Sequence, residues 1–207
     1  MLYRVNHVSQ TILNRVYAMT PVAGLVGCLL CCILFALCYR FFRKNRWWKS
    51  ILLTAEICSL VIICWITIGQ REWGSSQAVS LIPFDSYASF IKGINSEALR
   101  SNLMNIILFM PFALLRAAAM EQKKSRKRAF LETVLICILL STGIEILQYV
   151  LKCGITELDD VIDNTVGGIL GAGIFYLVEA VTEAVRNQRT HVVSGKAKKE
   201  LRKLEEA

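Results

Sequence analysis

The chain has 207 residues, 55% of them hydrophobic and 19% charged, with a mean hydropathy of +0.48. That composition excludes an ordinary soluble domain, because the apolar residues gather into stretches near membrane-spanning length. The formal net charge of +8 lies in short clusters beside those stretches. This is the pattern of cytoplasmic membrane loops rather than of a nucleic-acid surface, and no nucleic-acid partner is expected.

Residues 1–20 read as a lead-in or a short interfacial helix. The first span is expected from Pro21 to about Phe42, followed by Arg43, Lys44, Arg46 and Lys49. It is too long for a signal-peptide core and no small-residue cleavage site precedes the basic run, so retention in the mature protein is expected. The second span is expected over Ile51 to about Ile68. From Gly69 to about Asn102 the chain turns polar, yet it keeps enough aromatic and apolar residues for a partly structured loop on the membrane surface. Its charges, Arg71, Glu72, Asp85, Lys92, Glu97 and Arg100, cancel.

The third stretch, Leu103 to Met120, contains Asn105 and Pro111. Proline removes an amide donor, so a bend or break is expected there, with neighbours satisfying the freed groups. A re-entrant path would put KKSRKR opposite the first basic cluster, so parity favours a full crossing. Spans four and five are expected over Ala129 to Leu151 and Val161 to Val181, joined by the short acidic connection KCGITELDD. Residues 186–207 form a basic tail with helical propensity. The predicted fold class is an all-α, polytopic membrane bundle of about five helices over 21–185, with the N terminus outside and the C terminus cytoplasmic.

The eight cysteines do not suggest a disulfide framework, since all but Cys153 lie within or at the ends of apolar stretches. The polar residues inside spans are more informative. Ser141, Glu145 and Gln148 share one helical face, and a carboxylate there must turn toward protein or water. That face is either a structural network or part of a ligand site. At the start of the fifth span, Asp159, Asp160, Asp163 and Asn164 join Glu157 in an acidic patch. Helix capping accounts for one aspartate; a cation or polar headgroup site is the functional alternative for the group. Gly167, Gly168 and Gly171 allow a neighbouring backbone to come close, expected to be that of the fourth span. Glu56 and Arg116 are a candidate ion pair whose facing the sequence leaves open.

LIPFDSY at 81–87, NIILFMPFALL at 105–115 and STGIEILQYVLKCGITELDDVIDNTVGGILG at 141–171 resemble the VanZ-like family of bacterial membrane proteins, in the family's order and most strongly over 81–171. The family's polar signature falls on Asn105, Pro111, Glu145, Gln148, Asp159, Asp160 and Asn164, and its glycines on Gly167, Gly168 and Gly171. A basic residue that is common just before the acidic motif is replaced by Cys153, with Lys152 adjacent. The resemblance implies a role in the bacterial cell envelope, the family including a member associated with teicoplanin resistance.

The leading expectation is a cell-membrane protein with an extracellular-facing site for a polar lipid or peptidoglycan-related group, the partner being a membrane lipid with an anionic or isoprenoid headgroup. One alternative is a hydrolase or transferase acting on a lipid phosphate, its carboxylates holding Mg²⁺ and Glu145 moving a proton. Another is transport of an ion or small solute. Neither a catalytic residue nor a resident metal is assigned, because no HExxH, GxSxG, Walker or zinc-ligand spacing is present.

Overall fold

A computed structural model of the chain describes residues 21–42, 47–71, 73–74, 77–93, 97–120 and 125–205. The lead-in at 1–20 lies outside the described residues. Helix α1 spans Pro21–Phe42 and α2 spans Trp48–Cys64, continued by a π-helical turn over Trp65–Gly69. The polar segment that follows holds a short strand, β1 (Gln77–Ser80), and a two-turn helix, α3 (Asp85–Ile91). Helices α4 (Ala98–Met120) and α5 (Arg126–Leu151) come next, then strand β2 (Gly154–Glu157) and the long α6 (Leu158–Glu205).

Among the described residues, four helices are long and apolar enough to cross a membrane: Trp48–Gly69, Ala98–Met120, Arg126–Leu151 and the Leu158–Gln188 part of α6. Five were expected. The fifth expected span, α1, is a 22-residue helix whose fully described apolar stretch is Ala23–Tyr39; the count established is four. Helix α6 does not stop at the expected boundary near Val181, but continues through the basic segment as one 48-residue helix.

α4 is central, touching α1, α2, α3, α5 and α6. On one side, Met110, Leu114 and Ala117 pack with Cys32, Ala36 and Tyr39 of α1 and Phe175 of α6. On the other, Phe109 and Phe112 pack with Ile63 of α2 and Cys137 and Ile144 of α5. Leu131, Leu135 and Leu139 on α5 and Leu177 on α6 are exposed, as residues facing lipid must be.

Pro111 does not break α4, which is helical throughout. The carbonyl it deprives of a donor is that of Ile107, four residues earlier. Cys28 of α1 supplies a replacement, its Sγ–H donating to Ile107 O at 3.8 Å. A neighbour therefore repairs the defect inside the bundle.

The glycines of α6 correct one expectation. A methyl built on Gly167 would collide with the backbone carbonyl of Ile106, and one on Gly171 with that of Met110. Both glycines seat α6 on α4, not on α5. Only Gly168 faces α5, where a Cβ would come within 2.8 Å of the Cys137 sulfur. The helices joined by the short connection are neighbours, but the closest backbone approach belongs to another pair.

That connection is not the simple turn expected. Lys152 ends α5 in a left-handed conformation, φ 50°, and β2 then pairs in parallel with β1, Gln77 against Gly154 through Ser80 against Glu157. The two-stranded ribbon pins the polar segment over the ends of α5 and α6.

Candidate functional site

Two buried aspartates at the start of α6 hold the LIPFDSY segment in place. Asp159, 2% exposed, accepts from the amide of Phe84 at 2.5 Å and from the amide and hydroxyl of Ser86 at 2.9 and 2.5 Å. It stands in the first turn of α6 yet caps α3, a different helix. Free amides at a helix start attract a carboxylate, and here the carboxylate comes from across the fold. Phe84 adopts φ 63° to bring its N–H to bear, a left-handed conformation that an aromatic residue rarely takes. One turn along α6, Asp163 accepts from the Tyr87 hydroxyl at 2.6 Å. Burial, followed by this bond, raises the Tyr87 phenol above its ordinary pKa.

The other expected residues extend the network across the bundle. Asn105 of α4 donates to Asp160 at 2.7 Å. Asn164 donates to Ser141 of α5 at 2.8 Å. Glu145 accepts from the backbone N–H of Glu157 at 3.0 Å, which ties β2 to α5. Gln148 does not join Asp160 and Asn164: it lies farther along α5, and its amide donates to the Thr67 carbonyl in the π-helical turn at 2.9 Å. That turn, where the backbone ladder shifts register, is therefore braced by a buried side chain. Glu56 and Arg116 do face each other, at 3.0 Å.

Four residues that the sequence reading did not assign complete the arrangement. Asn102, one turn before Asn105 on α4, donates to the Ser86 hydroxyl at 2.9 Å. Ser86 and Tyr87 are the hydroxyls of LIPFDSY that meet the aspartates; the signal available was a hydroxyl pair in the same resembling block set. The fourth is Arg71. A Cβ on Gly154 would stand 2.8 Å from its guanidinium, and Gly154 also has φ +129°, so this glycine leaves room for the arginine. The charge of Arg71 acts on Glu145, Glu157 and Asp160. Cys153 is buried at the end of α5, its sulfur 3.7 Å from the Gln148 carbonyl. The cation facing the acidic motif thus comes from the second inter-helix segment rather than from position 153.

Between β1, α3, the start of α4 and the β2–α6 junction lies a cavity of about 210 Å³. Asp85, Glu97, Glu157 and Asp159 line it, together with Asn102 and serines of β1, α3 and α4. Burial raises the Glu157 carboxyl above its ordinary pKa; Asp159 and Asp85 push it the same way and Arg71 opposes them. A larger hollow, about 390 Å³, lies at the opposite end of α5, but its walls are a single stretch of that helix, Ser125 to Leu135. The Mg²⁺ reading would need carboxylates converging on one point. Among the described residues no group of three or more His, Cys, Asp or Glu is so arranged; Asp159, Asp160, Asp163 and Glu145 each bond to a different donor.

A family model described as VanZ/LLP1 matches residues 57–179, more than half of the chain. The chain belongs to the VanZ/LLP1 family. The VanZ/LLP1 match begins inside α2, one residue after Glu56, and ends in α6, taking in every residue of the network from Thr67 to Asn164 and omitting α1 and the basic end of α6. Protein VanZ of Enterococcus faecium is 28% identical over 125 residues, which are 57% of this chain and 69% of that protein. No solved structure matches. As a VanZ/LLP1 member the chain is a multi-pass protein of the bacterial membrane and cell envelope, in a family linked to antibiotic resistance.

Proposed function

We propose that this protein alters glycopeptide susceptibility by holding a polar group of the envelope, from a membrane lipid or a peptidoglycan-related compound, at the polar end of its bundle. The observation that supports this reading is the cavity that Asp159 organises. A buried carboxylate fixes α3 against α6 through three hydrogen bonds and leaves a polar-walled space beside it. Rigid elements holding a polar pocket at a membrane boundary suit recognition of a headgroup. In this reading α1 is a fifth span and the site faces outward, with the basic connections and the end of α6 in the cytoplasm.

The experiment compares bacteria expressing the parent chain or Asp159→Asn at matched membrane abundance, over a series of glycopeptides and lipoglycopeptides including teicoplanin. Raised tolerance with the parent and its loss in the variant are expected. Unchanged susceptibility to every agent at all expression levels would overturn the resistance role. In a functional cysteine-free background, a cysteine at Gln77 should label from outside intact cells and one at Ser125 only after permeabilisation; equal labelling rejects the orientation.

A further inference from the structure

We infer that the LIPF stretch at 81–84 and the far end of α3 form a two-point anchor in the headgroup layer of the bilayer, with lipid acyl chains as the partner of their exposed side chains. This surface is separate from the cavity, and it stands whatever the cavity holds.

The segment is built with its polarity reversed. Leu81, Ile82 and Phe84 are 67, 66 and 57% exposed, and Phe90 and Ile91 are exposed at the end of α3. Ser86 and Tyr87, between those two points, turn their hydroxyls inward to Asp159 and Asp163, both buried. A segment bathed in water takes the opposite arrangement, because exposed apolar area is unfavourable there and a buried carboxylate loses its hydration. Lipid reverses the first of those terms. Between residues 77 and 93 the only charges are Asp85 and Lys92, so no net charge selects a partner and the apolar side chains do.

Hydrogen bonds fix the depth. Asp159 is in the first turn of α6, where a membrane span begins, and it holds the amides of Phe84 and Ser86 at 2.5 and 2.9 Å. Asn102, in the second turn of the span formed by α4, holds the Ser86 hydroxyl at 2.9 Å. The backbone at 84–86 is thereby level with the starts of two spans. Headgroups fill a layer of roughly 5–8 Å on each face of the hydrocarbon core, so side chains leaving this backbone enter that layer. A short helix with exposed apolar residues at both ends then lies along the surface rather than across it.

Phe84 shows that the outward display is enforced. Its φ of 63° follows Pro83, whose ring fixes its own φ. Such a sparsely populated backbone persists only where its surroundings hold it, and here Asp159 does so. The Phe84 ring packs against Tyr87, with centroids 6.2 Å apart and planes at 61°, and Tyr87 is in turn bonded to Asp163. LIPF is therefore kept from folding back onto the bundle, which would cover its apolar area.

The test places a nitroxide on Ile82→Cys or Ile91→Cys of the full chain in a functional cysteine-free background. One copy per nanodisc of phosphatidylglycerol and phosphatidylethanolamine is used, and collisions with oxygen and with a water-soluble nickel chelate are read. Labels on Leu139→Cys, a residue exposed in mid-span, and on Ser125→Cys, a residue exposed at the basic connection, give the lipid and water references. Both test labels should lie roughly 5–10 Å into the boundary between headgroups and acyl chains. Nickel collisions equal to those at position 125 would overturn the anchor. Low collisions with both reagents would place the labels against protein and overturn lipid as the partner. In Asp159→Asn the label at position 82 should move toward the water value while that at position 139 keeps its own; an unmoved label at 82 would overturn the part given to Asp159. The depths in the chain that retains Asp159 decide the anchor even if that variant folds poorly.

Discussion

Replacing Gly167 by alanine tests the seating of α6 on α4. The added methyl meets the Ile106 carbonyl and also comes within 3.1 Å of the Ile106 Cα. These are backbone atoms of a helix buried in the centre of the bundle, so no rotamer change relieves the clash and the two axes must separate. Overpacking of this kind costs about 1–3 kcal/mol. Gly173→Ala is the matched control: nothing lies within 4 Å of its added methyl, and alanine should gain about 0.5–1 kcal/mol over glycine within a helix. That propensity gain is common to both positions, so the two variants should differ by the overpacking alone, about 1–3 kcal/mol, although they sit six residues apart on one helix. Gly168→Ala separates side-chain from backbone contact, since its methyl meets only Cys137; combining it with Cys137→Ala should recover much of its loss. Reversible unfolding in mixed micelles, followed by tryptophan fluorescence, measures all four. Equal stability of Gly167→Ala and Gly173→Ala would refute the close packing of α6 on α4.

Glu157 supplies a pH prediction. Its carboxyl is raised in the folded chain, so its stabilising contribution is complete below the ordinary glutamate value of about 4.3 and is lost as pH rises through the folded value. Glu157→Gln should match the parent near pH 4 and exceed it in stability near pH 8; a constant gap between the two contradicts the assigned burial. For α5 against α6, Ser141→Cys should crosslink efficiently with Asn164→Cys in a cysteine-free background, because the parent side chains bond at 2.8 Å. Gln148→Cys should not, lying about 10 Å farther along the axis, and the reverse result rejects the register.

The spans were legible because hydrocarbon imposes a length and a composition that apolar runs display openly. The acidic motif was equally legible as a group, since carboxylates near a helix start in a membrane protein require a reason. Their partners were not. The period that puts Ser141, Glu145 and Gln148 on one face is local, and it says nothing of a face divided among Asn164, the Glu157 amide and the Thr67 carbonyl. Gly167 and Gly171 announce that some backbone comes close, without naming which. The parallel pairing of two four-residue strands left no trace at all, since neither strand has an alternating pattern long enough to register. The place of Arg71 was hidden for a related reason: only the folded ribbon brings it beside Gly154.

Asp159 also sets an order of assembly. The amides and hydroxyl it receives belong to residues 73 to 75 positions earlier in the chain, and the strand partner of β1 is equally late. At translation rates of about 5–20 residues per second, the polar segment waits roughly 4–15 s after synthesis before its capping carboxylate exists. During that interval the amides at the start of α3 have no Asp159, and Phe84 has no bond to hold its left-handed backbone. The cavity is thus completed only as the last span enters the membrane. A nascent chain arrested before Leu158 carries three of the four established spans but an unassembled site, and protease accessibility of the segment around Phe84 is a direct clock for the arrival of α6.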